Sequence, residues 1–263
     1  MGFMICYMLA GLAAGFLAGL LGIGGGLVLV PVLALLFAMQ DFPADAIMQL
    51  ALGTSLASIV FTSASSARAH HAKGAVDWLV LRRMAPGIVI GALLSAWLAA
   101  RLSGSTLQLF FAVYAGLAAT QLVCEVRSRA GCRLPGFAGL AVAGTAVGLT
   151  AGLAGVGGAI AAIPFFLLCN VSARVAIGTS AAIGLPVALA GSVGYIAQGL
   201  SADVPAFSLG YVYASALVAI VVTSLLAAPA GARVSHRMSV GALKKILAVV
   251  LYAVMLRAVF AGA

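Results

Sequence analysis

Charged residues are scarce in this 263-residue sequence: Asp, Glu, Lys and Arg together make up 7% of it, and positions 1–40 contain none. A water-soluble domain has about 25% charged residues, so the composition excludes that class. The five acidic residues all lie in or beside the short segments between apolar runs. Because proton relays normally need titratable groups at membrane depth, this distribution argues against a relay through carboxylates. A coupling ion held by carbonyl or hydroxyl oxygens stays open.

Metal-binding and catalytic motifs are also missing. The cysteines form neither a CxxC pair nor the Cys/His spacing of a metal site; they are Cys6, Cys124, Cys132 and Cys169. The histidines, His70, His71 and His236, adjoin basic residues in loops, where a solvated side chain is the simpler account. No metal, no cofactor and no enzyme activity are therefore predicted. Nucleic acid is not expected as a partner either, because the net charge of +9 comes from loop Lys and Arg, which membrane orientation explains.

Long apolar runs without charge dominate the sequence, of which 64% is hydrophobic. After the first forty residues, further uncharged runs cover 46–67, 84–100, 102–124, 134–173, 175–202 and 204–232. A helix needs about 20 apolar residues to cross about 30 Å of hydrocarbon, and each run is near or above that length. The sequence therefore predicts an all-α polytopic protein of the cell membrane, surrounded by lipid bilayer.

An internal repeat divides the chain into two halves. A shift of 133 positions lays GFLAGLLGIGGGLVLVP (15–31) over GLTAGLAGVGGAIAAIP (148–164), with eight identities that include the final Pro31 and Pro164. A shift of 125 lays ALGTSLA (51–57) over AIGTSAA (176–182). Membrane helices are rich in Gly and Ala for packing alone, but the shared order, spacing and proline favour a true repeat.

Each half is predicted to contain one long glycine-broken segment followed by three transmembrane helices. The N-terminal repeat, 1–126, has its broken segment at 3–38 and helices at about 46–67, 76–100 and 105–124. The C-terminal repeat, 134–263, has its broken segment at 136–169 and helices at about 175–197, 206–230 and 241–262. A basic cytoplasmic linker, 127–133, joins them.

These motifs resemble the TauE/SafE sulfite-exporter family of membrane transporters. The resemblance rests on the doubled glycine segment with its proline, on the GTS of the following helix and on KGAVDW (73–78). It covers nearly the whole chain and implies the transport of sulfite, a sulfonate such as sulfoacetate, or a related sulfur or carboxylate anion, usually outward across a bacterial inner membrane. In the second half Ala159 replaces the last glycine, and QGLSAD (198–203) stands where KGAVDW would be.

Charge distribution distinguishes two architectures. If each broken segment crosses the membrane once, Lys and Arg divide eight to six between the two sides. If each segment instead returns to its own side as a hairpin, the division is twelve to two, with only Arg101 and Arg257 outside, and the second half is inverted. The positive-inside rule favours hairpins and inverted repeats, although single broken crossings remain an alternative.

The hairpin architecture predicts an anion site at the two glycine-rich tips. Short helices would begin there, at about 27–38 and 159–169, and their unpaired N–H groups and dipoles would attract an anion. Irregular backbone at membrane depth is tolerated only around protein or a wet cavity. The candidate binding residues are Gly24, Gly25, Gly26, Thr54, Ser55, Gly157, Gly158, Ala159, Thr179 and Ser180.

Further expectations concern individual residues. Gly25 and Gly158 are predicted to turn the chain with positive φ, which only glycine adopts at little cost. Replacing Gly11 or Gly144 by alanine is expected to cost little, because alanine is the better helix former. Arg174, which corresponds to Gln49 in the first half, either steers anions toward the path or only marks the cytoplasmic side. In the alternative interpretation, the glycines serve helix packing and the hydroxyls bond to their own helices.

The predicted function is a secondary transporter or exporter of a small anion. A passive anion channel is an alternative, and a membrane enzyme or cofactor-handling subunit is a weaker one. Only the preference for an anion comes from the residues themselves, and a homo-oligomer stays open.

Overall fold

The computed structural model describes residues 2–21, 25–123 and 133–235, together with positions 249, 252 and 255. Its nine helices over these residues are α1 (Gly2–Leu21), α2 (Gly26–Ala38), α3 (Ile47–Ala72), α4 (Trp78–Ala99), α5 (Gly104–Val123), α6 (Phe137–Ala154), α7 (Ala159–Leu168), α8 (Ala173–Gly199) and α9 (Ala214–Ser235). Two short antiparallel strands, β1 (Ser208–Leu209) and β2 (Val212–Tyr213), precede α9. Gly24, Cys124, Cys132, Arg257, the linker before Arg133 and most of the predicted helix 241–262 lie outside the described residues.

The helices present apolar surface to the outside as well as to the core. Four of them, α3, α4, α6 and α8, are long and apolar enough to cross a membrane. Large apolar side chains repeat along single exposed faces, as on α5 and α9, where each is more than half exposed: Leu109, Val113, Leu117, Val218 and Val222. Exposed apolar faces of this kind suit lipid tails rather than water. The protein is therefore a multi-pass membrane protein.

The first broken segment folds back on itself. A Cβ added to Gly25 would lie 2.9 Å from the Cβ of Ala14. Farther along α2, the ring of Phe37 lies 6.2 Å from that of Tyr7, and the Gln40 amide donates a hydrogen bond to the Tyr7 hydroxyl. Gly25 thus contacts position 14 of α1, whereas Phe37, twelve residues later, contacts position 7. Because the contacts move toward the start of α1 as α2 advances, α2 runs antiparallel to α1. The two ends of the segment thus lie together.

The second broken segment repeats the same contact. A Cβ added to Gly158 would lie 2.7 Å from Cγ1 of Val147, and this pair has the same separation along the chain as Gly25 and Ala14. The short helices also end alike, in a left-handed residue, Asp41 (φ 54°) after α2 and Asn170 (φ 60°) after α7. In both, the N–H of the following residue donates a hydrogen bond to the carbonyl five residues back, as in a Schellman motif. The donor is Phe42 after α2, at 3.2 Å, and Val171 after α7, at 3.0 Å.

Helices α4 and α6 pack in parallel through glycine. A Cβ added to Gly144 would lie 2.4 Å from the carbonyl oxygen of Met84, and one added to Gly148 would lie 2.3 Å from that of Ile88. Both partners advance by four residues, so the helices run in the same direction. The backbones approach closely because these glycines have no side chain, as in small-residue membrane interfaces.

Helices α1 and α9 pack in the same way. A Cβ added to Gly11 would lie 2.8 Å from the Ile220 carbonyl oxygen, and one added to Gly15 would lie 2.4 Å from that of Ser224. The prediction that alanine is tolerated at Gly11 and at Gly144 is therefore wrong. Helix propensity is a small effect compared with a methyl group driven into the backbone of a neighbouring helix.

A turn that precedes α4 has its counterpart before α9. Gly74 (φ 64°) and Gly210 (φ 54°) both adopt left-handed angles. In each turn, the carbonyl oxygen of the next residue lies against the glycine of a GTS motif. A Cβ added to Gly178 would lie 2.2 Å from the Ala75 carbonyl oxygen, and one added to Gly53 would lie 2.2 Å from that of Tyr211. The counterpart of KGAVDW is therefore LGYVYA (209–214), and the assignment to QGLSAD (198–203) is wrong. The second half inserts extra chain, including β1, before this turn, which displaces the alignment.

Candidate functional site

The two glycine-rich breaks meet inside the bundle. We call residues 22–25 the first break and residues 155–158 the second break; of the first, only Gly25 is described. A Cβ added to Gly26, where α2 begins, would lie 2.6 Å from the Gly155 carbonyl oxygen and 3.1 Å from the Cα of Val156. The start of α2 therefore packs directly against the second break.

The backbone angles at the breaks differ from the prediction. Gly25 has φ −65° and Gly158 has φ −32°, so the expectation of positive φ at these two positions is wrong. The left-handed residue is Gly155 (φ 64°), where α6 ends. Glycine is needed at both positions for close packing instead. A Cβ on Gly25 would lie 2.7 Å from the Ala14 carbonyl oxygen, and one on Gly158 would lie 2.7 Å from Cγ1 of Val147.

Both short helices begin without a side-chain cap. The N-cap residues of α2 and α7 are Gly25 and Gly158, which have no side chain to accept an N–H of the first turn. The usual caps, Ser, Thr, Asp and Asn, would satisfy an N–H of the first turn. Their absence leaves the positive end of each helix dipole without a protein acceptor from the cap. Ala159 is the first residue of α7, and Pro31 and Pro164 lie inside α2 and α7.

The two GTS threonines hold the starts of helices from the opposite half. Thr179 Oγ1 accepts a hydrogen bond from the backbone N–H of Asp77, at 3.0 Å, just before α4. Thr54 Oγ1 accepts one from the backbone N–H of Tyr213, also at 3.0 Å, just before α9. These hydroxyls therefore have a structural task that the sequence did not predict.

The two GTS serines differ from each other. Ser55 Oγ donates to the Gly155 carbonyl oxygen at 2.8 Å, which links α3 to the second break. Ser180 is fully buried, and its Oγ has no hydrogen-bond partner within the described part of the chain. The repeat pairs Gly155, the partner of Ser55, with Gly22, which lies outside the described residues.

Arg174 lies in the first turn of α8, away from both breaks, and its side chain reaches the C-terminus of α3. It is exposed, and its guanidinium donates a hydrogen bond to the carbonyl oxygen of Lys73, the C-cap residue of α3. A cation is favourable at a helix C-terminus. Its counterpart Gln49 is buried and donates to the carbonyl oxygens of Ala99 and Leu102, at 3.3 and 3.2 Å.

Three residues that the sequence analysis did not single out line a space beside Gly157 of the second break. Ile59 and Ser63 of α3 and Gly184 of α8 are the nearest neighbours of a Cβ added to Gly157, at 3.5, 3.8 and 3.7 Å respectively. The shift of 125 that pairs the two GTS motifs also pairs Ile59 with Gly184. Following the repeat about one helical turn beyond the GTS motifs would therefore have identified these two positions from the sequence. Among the described residues, no three His, Cys, Asp or Glu side chains come together to hold a metal ion.

Known proteins resemble this chain over nearly its whole length. The family model for sulfite exporter TauE/SafE matches residues 7–258. A probable membrane transporter protein of Haemophilus influenzae is 34% identical over 245 residues, which cover 92% of this chain and 93% of the relative. The probable membrane transporter protein YunE of Bacillus subtilis is 27% identical over 283 residues, 100% of this chain and 99% of the relative. No solved structure matches. With a matched family model that spans both breaks and both GTS helices, this chain belongs to the TauE/SafE sulfite exporter family of membrane transporters.

Proposed function

We propose that this protein is a secondary transporter that exports a small anion, which binds where the two glycine-rich breaks meet. The observation that carries the proposal is the position of the two helix starts. α2 begins against the second break, since Gly26 packs on Gly155, and neither α2 nor α7 has a capping side chain. Backbone N–H groups and helix dipoles supply positive potential there without any charged side chain. Half-helix ends of this kind bind anionic groups in other secondary transporters.

The contacts at one end of the bundle support inverted repeats. Tyr7 near the start of α1 lies 6.2 Å, ring to ring, from Tyr213, which precedes α9. Tyr213 is in turn bonded to Thr54 in the first two turns of α3. Helices α1, α3 and α9 therefore start at the same end, together with the end of α2.

The opposite end holds the starts of the other helices. Asp77 before α4 is bonded to Thr179 in the first two turns of α8, and α6 runs parallel to α4. Helices α4, α6 and α8 thus start at this second end, so the broken segments α1–α2 and α6–α7 enter from opposite sides. This is the arrangement expected of inverted repeats. Lys73 and Arg174 also lie at the second end, which the positive-inside rule assigns to the cytoplasm.

The family suggests the substrate class. Its name gives sulfite as the candidate cargo, and an organosulfonate or a related sulfur or carboxylate anion is the wider class that we propose. A passive channel is the alternative, and trans-stimulation, which only a carrier shows, separates the two.

Two measurements on the purified protein test this function. Thermal unfolding is measured with sulfite, sulfate, thiosulfate, sulfoacetate, taurine and small carboxylates, because an anion that binds the native state raises the melting temperature. Counterflow in proteoliposomes then tests for a carrier, which is stimulated by substrate on the opposite side. Selective stabilisation and trans-stimulation by one of these anions are expected. Uptake without trans-stimulation would indicate a channel. The proposal would be refuted if none of these anions stabilised the protein and none was taken up.

A further inference from the structure

Ser63 has an unusual environment for a buried serine. It lies on α3 two turns beyond Ser55, its residue is 6% exposed, and no described residue makes a hydrogen bond with its Oγ. Serine and threonine in helices commonly bond back to a carbonyl of the preceding turn. Its neighbours do so: Ser58 Oγ donates to the Ser55 carbonyl at 2.7 Å, and Thr62 Oγ1 to that of Ile59 at 3.3 Å. Ser63 thus lies at a buried position, and its hydroxyl lacks the bond to its own helix that its neighbours make.

The hydroxyl points toward a small space beside the second break. A Cβ added to Gly184 would lie 2.6 Å from Ser63 Oγ, and one added to Gly157 would lie 3.8 Å from it. At Gly157 every neighbour of the added Cβ is at ordinary contact distance, 3.5 Å or more. At the other glycines of this region, Gly26, Gly155 and Gly158, an added Cβ would lie 2.6 to 2.8 Å from its nearest neighbour. Room for a methyl-sized group therefore remains at Gly157.

This space lies at the uncapped start of α7. Gly157 directly precedes Gly158, the N-cap of α7, which has no side chain to cap the helix. A hydroxyl donor and the positive end of a helix dipole therefore converge on one small volume, with Ile59 as its apolar wall. Hydrogen bonds to an ionised acceptor are shorter and stronger than neutral ones. The arrangement suits an oxygen of a small oxyanion.

We propose that the space beside Gly157 and Gly184 is the oxyanion subsite of the transporter and that Ser63 donates a hydrogen bond to the bound anion. The inference rests on the proposed function and makes the site asymmetric. The repeat pairs Gly184 of α8 with Ile59 of α3, so the two GTS helices contribute different side chains to the space beside Gly157.

The test compares Ser63→Ala and Gly157→Ala with a control on the same helix, Ser58→Ala, which removes only a hydroxyl bonded to its own helix. Each purified variant is assayed for its melting temperature without anion, for the rise caused by sulfite or sulfoacetate, and for the KM of uptake into proteoliposomes. Ser63→Ala should keep the anion-free melting temperature and raise KM by roughly tenfold, the effect of one hydrogen bond to a charged group. Gly157→Ala should also fold normally, because the methyl fits, yet lose the rise caused by the anion. Ser58→Ala should match wild type.

Several results would overturn the subsite. Wild-type KM in Ser63→Ala, or a normal rise with anion in Gly157→Ala, would show that the anion binds elsewhere. A lower anion-free melting temperature in Gly157→Ala would show that packing already uses the space. Failure of the proposed function is distinguishable from these results, because the wild-type protein would then neither bind nor move any of the anions.

Discussion

The hydroxyl of Thr179 accepts a hydrogen bond from the backbone N–H of Asp77 at 3.0 Å, although the two residues belong to different halves of the chain. Asp77 is the N-cap of α4, and its carboxylate accepts from the N–H groups of Leu79 and Val80. The threonine therefore holds the residue that starts α4. Thr54 and Tyr213 repeat the relationship at α9 with the same distance, so the GTS motif joins the two halves at both ends of the bundle.

Replacing Thr179 by valine should destabilise the protein without changing its shape. The substitution keeps the side-chain volume but leaves a partly buried N–H without its acceptor, at a cost of about 1–2 kcal/mol. We expect a lower melting temperature for the detergent-solubilised protein, while Thr179→Ser, which keeps the oxygen, should stay close to wild type. Thr54→Val should cost a similar amount. Equal melting temperatures for the valine and serine variants would show that the bond contributes nothing to stability.

Alanine at Gly144 or Gly11 should lower the amount of folded protein. The new methyl group would stand 2.4 Å from the Met84 carbonyl oxygen or 2.8 Å from that of Ile220, and overpacking of this kind typically costs about 1–3 kcal/mol. Gly2→Ala is the control on α1, because nothing lies within 4 Å of its added Cβ. The measurement is the folded fraction in size-exclusion chromatography after extraction. Wild-type yields for Gly11→Ala would mean that α1 and α9 do not pack closely.

Gly155→Ala and Gly74→Ala separate backbone strain from packing. Both glycines have φ 64°, which costs an alanine about 1–2 kcal/mol. Nothing lies within 4 Å of a Cβ on Gly74, whereas one on Gly155 would lie 2.8 Å from Leu52 Cδ2 and 2.9 Å from Val30 Cγ2. Thermal unfolding should therefore show a modest loss of stability for Gly74→Ala and a larger loss for Gly155→Ala. A larger loss at Gly74 would contradict the packing of the second break.

Arg174→Gln should weaken apparent anion affinity at low ionic strength, if the charge of Arg174 attracts anions to the cytoplasmic mouth. Salt screens such attraction, since the Debye length falls from about 30 Å at 0.01 M to about 3 Å at 1 M. The ratio of KM between variant and wild type should therefore shrink as salt rises, while Arg174→Lys, which keeps the charge, stays near wild type. If Arg174→Gln instead left KM unchanged and lowered the amount of folded protein, the role of Arg174 would be structural, through its hydrogen bond to the Lys73 carbonyl oxygen.

Cysteine labelling should separate the two ends of the bundle. In a background without native cysteines, Ala44→Cys and Ser201→Cys should react with an impermeant maleimide on intact cells. Ala72→Cys and Ser172→Cys should react only after permeabilisation. All four positions are exposed in the structure, so a lack of reaction reports the membrane side rather than burial. Labelling of positions 72 and 172 on intact cells would reverse the proposed orientation, and labelling of only one of the two would refute inverted repeats.

Several features of this protein could be predicted from local sequence patterns. Scarce charge and long apolar runs indicated a multi-pass membrane protein, because a helix in lipid must satisfy its backbone internally and cover itself with apolar side chains. The doubled glycine segment with Pro31 and Pro164 indicated two broken helices and the transporter family. Glycine clusters and prolines act on the chain where they occur, so their effect is visible without knowing the neighbours.

Other features depended on which helices pack together. Gly11 and Gly144 looked replaceable as helix residues, but the backbones of α9 and α4 lie against them. The left-handed turn falls at Gly155 rather than at Gly158, because α6 ends in a Schellman turn in which the Val156 N–H returns to the Ala151 carbonyl at 2.9 Å. The counterpart of KGAVDW was displaced by inserted chain that the repeat offset did not reveal.

The partners of the hydroxyl groups were decided by tertiary structure alone. Thr54 bonds to a residue 159 positions away, and Ser55 to one 100 positions away, so no local pattern distinguishes them from Ser63, which has no partner among the described residues. The sequence by itself determined the membrane class, the two glycine breaks and the family, since these follow from composition and from backbone freedom at single positions. Only the tertiary structure brought the start of α2 against the second break and decided which hydroxyls find partners, because both depend on the packing of helices from the two halves.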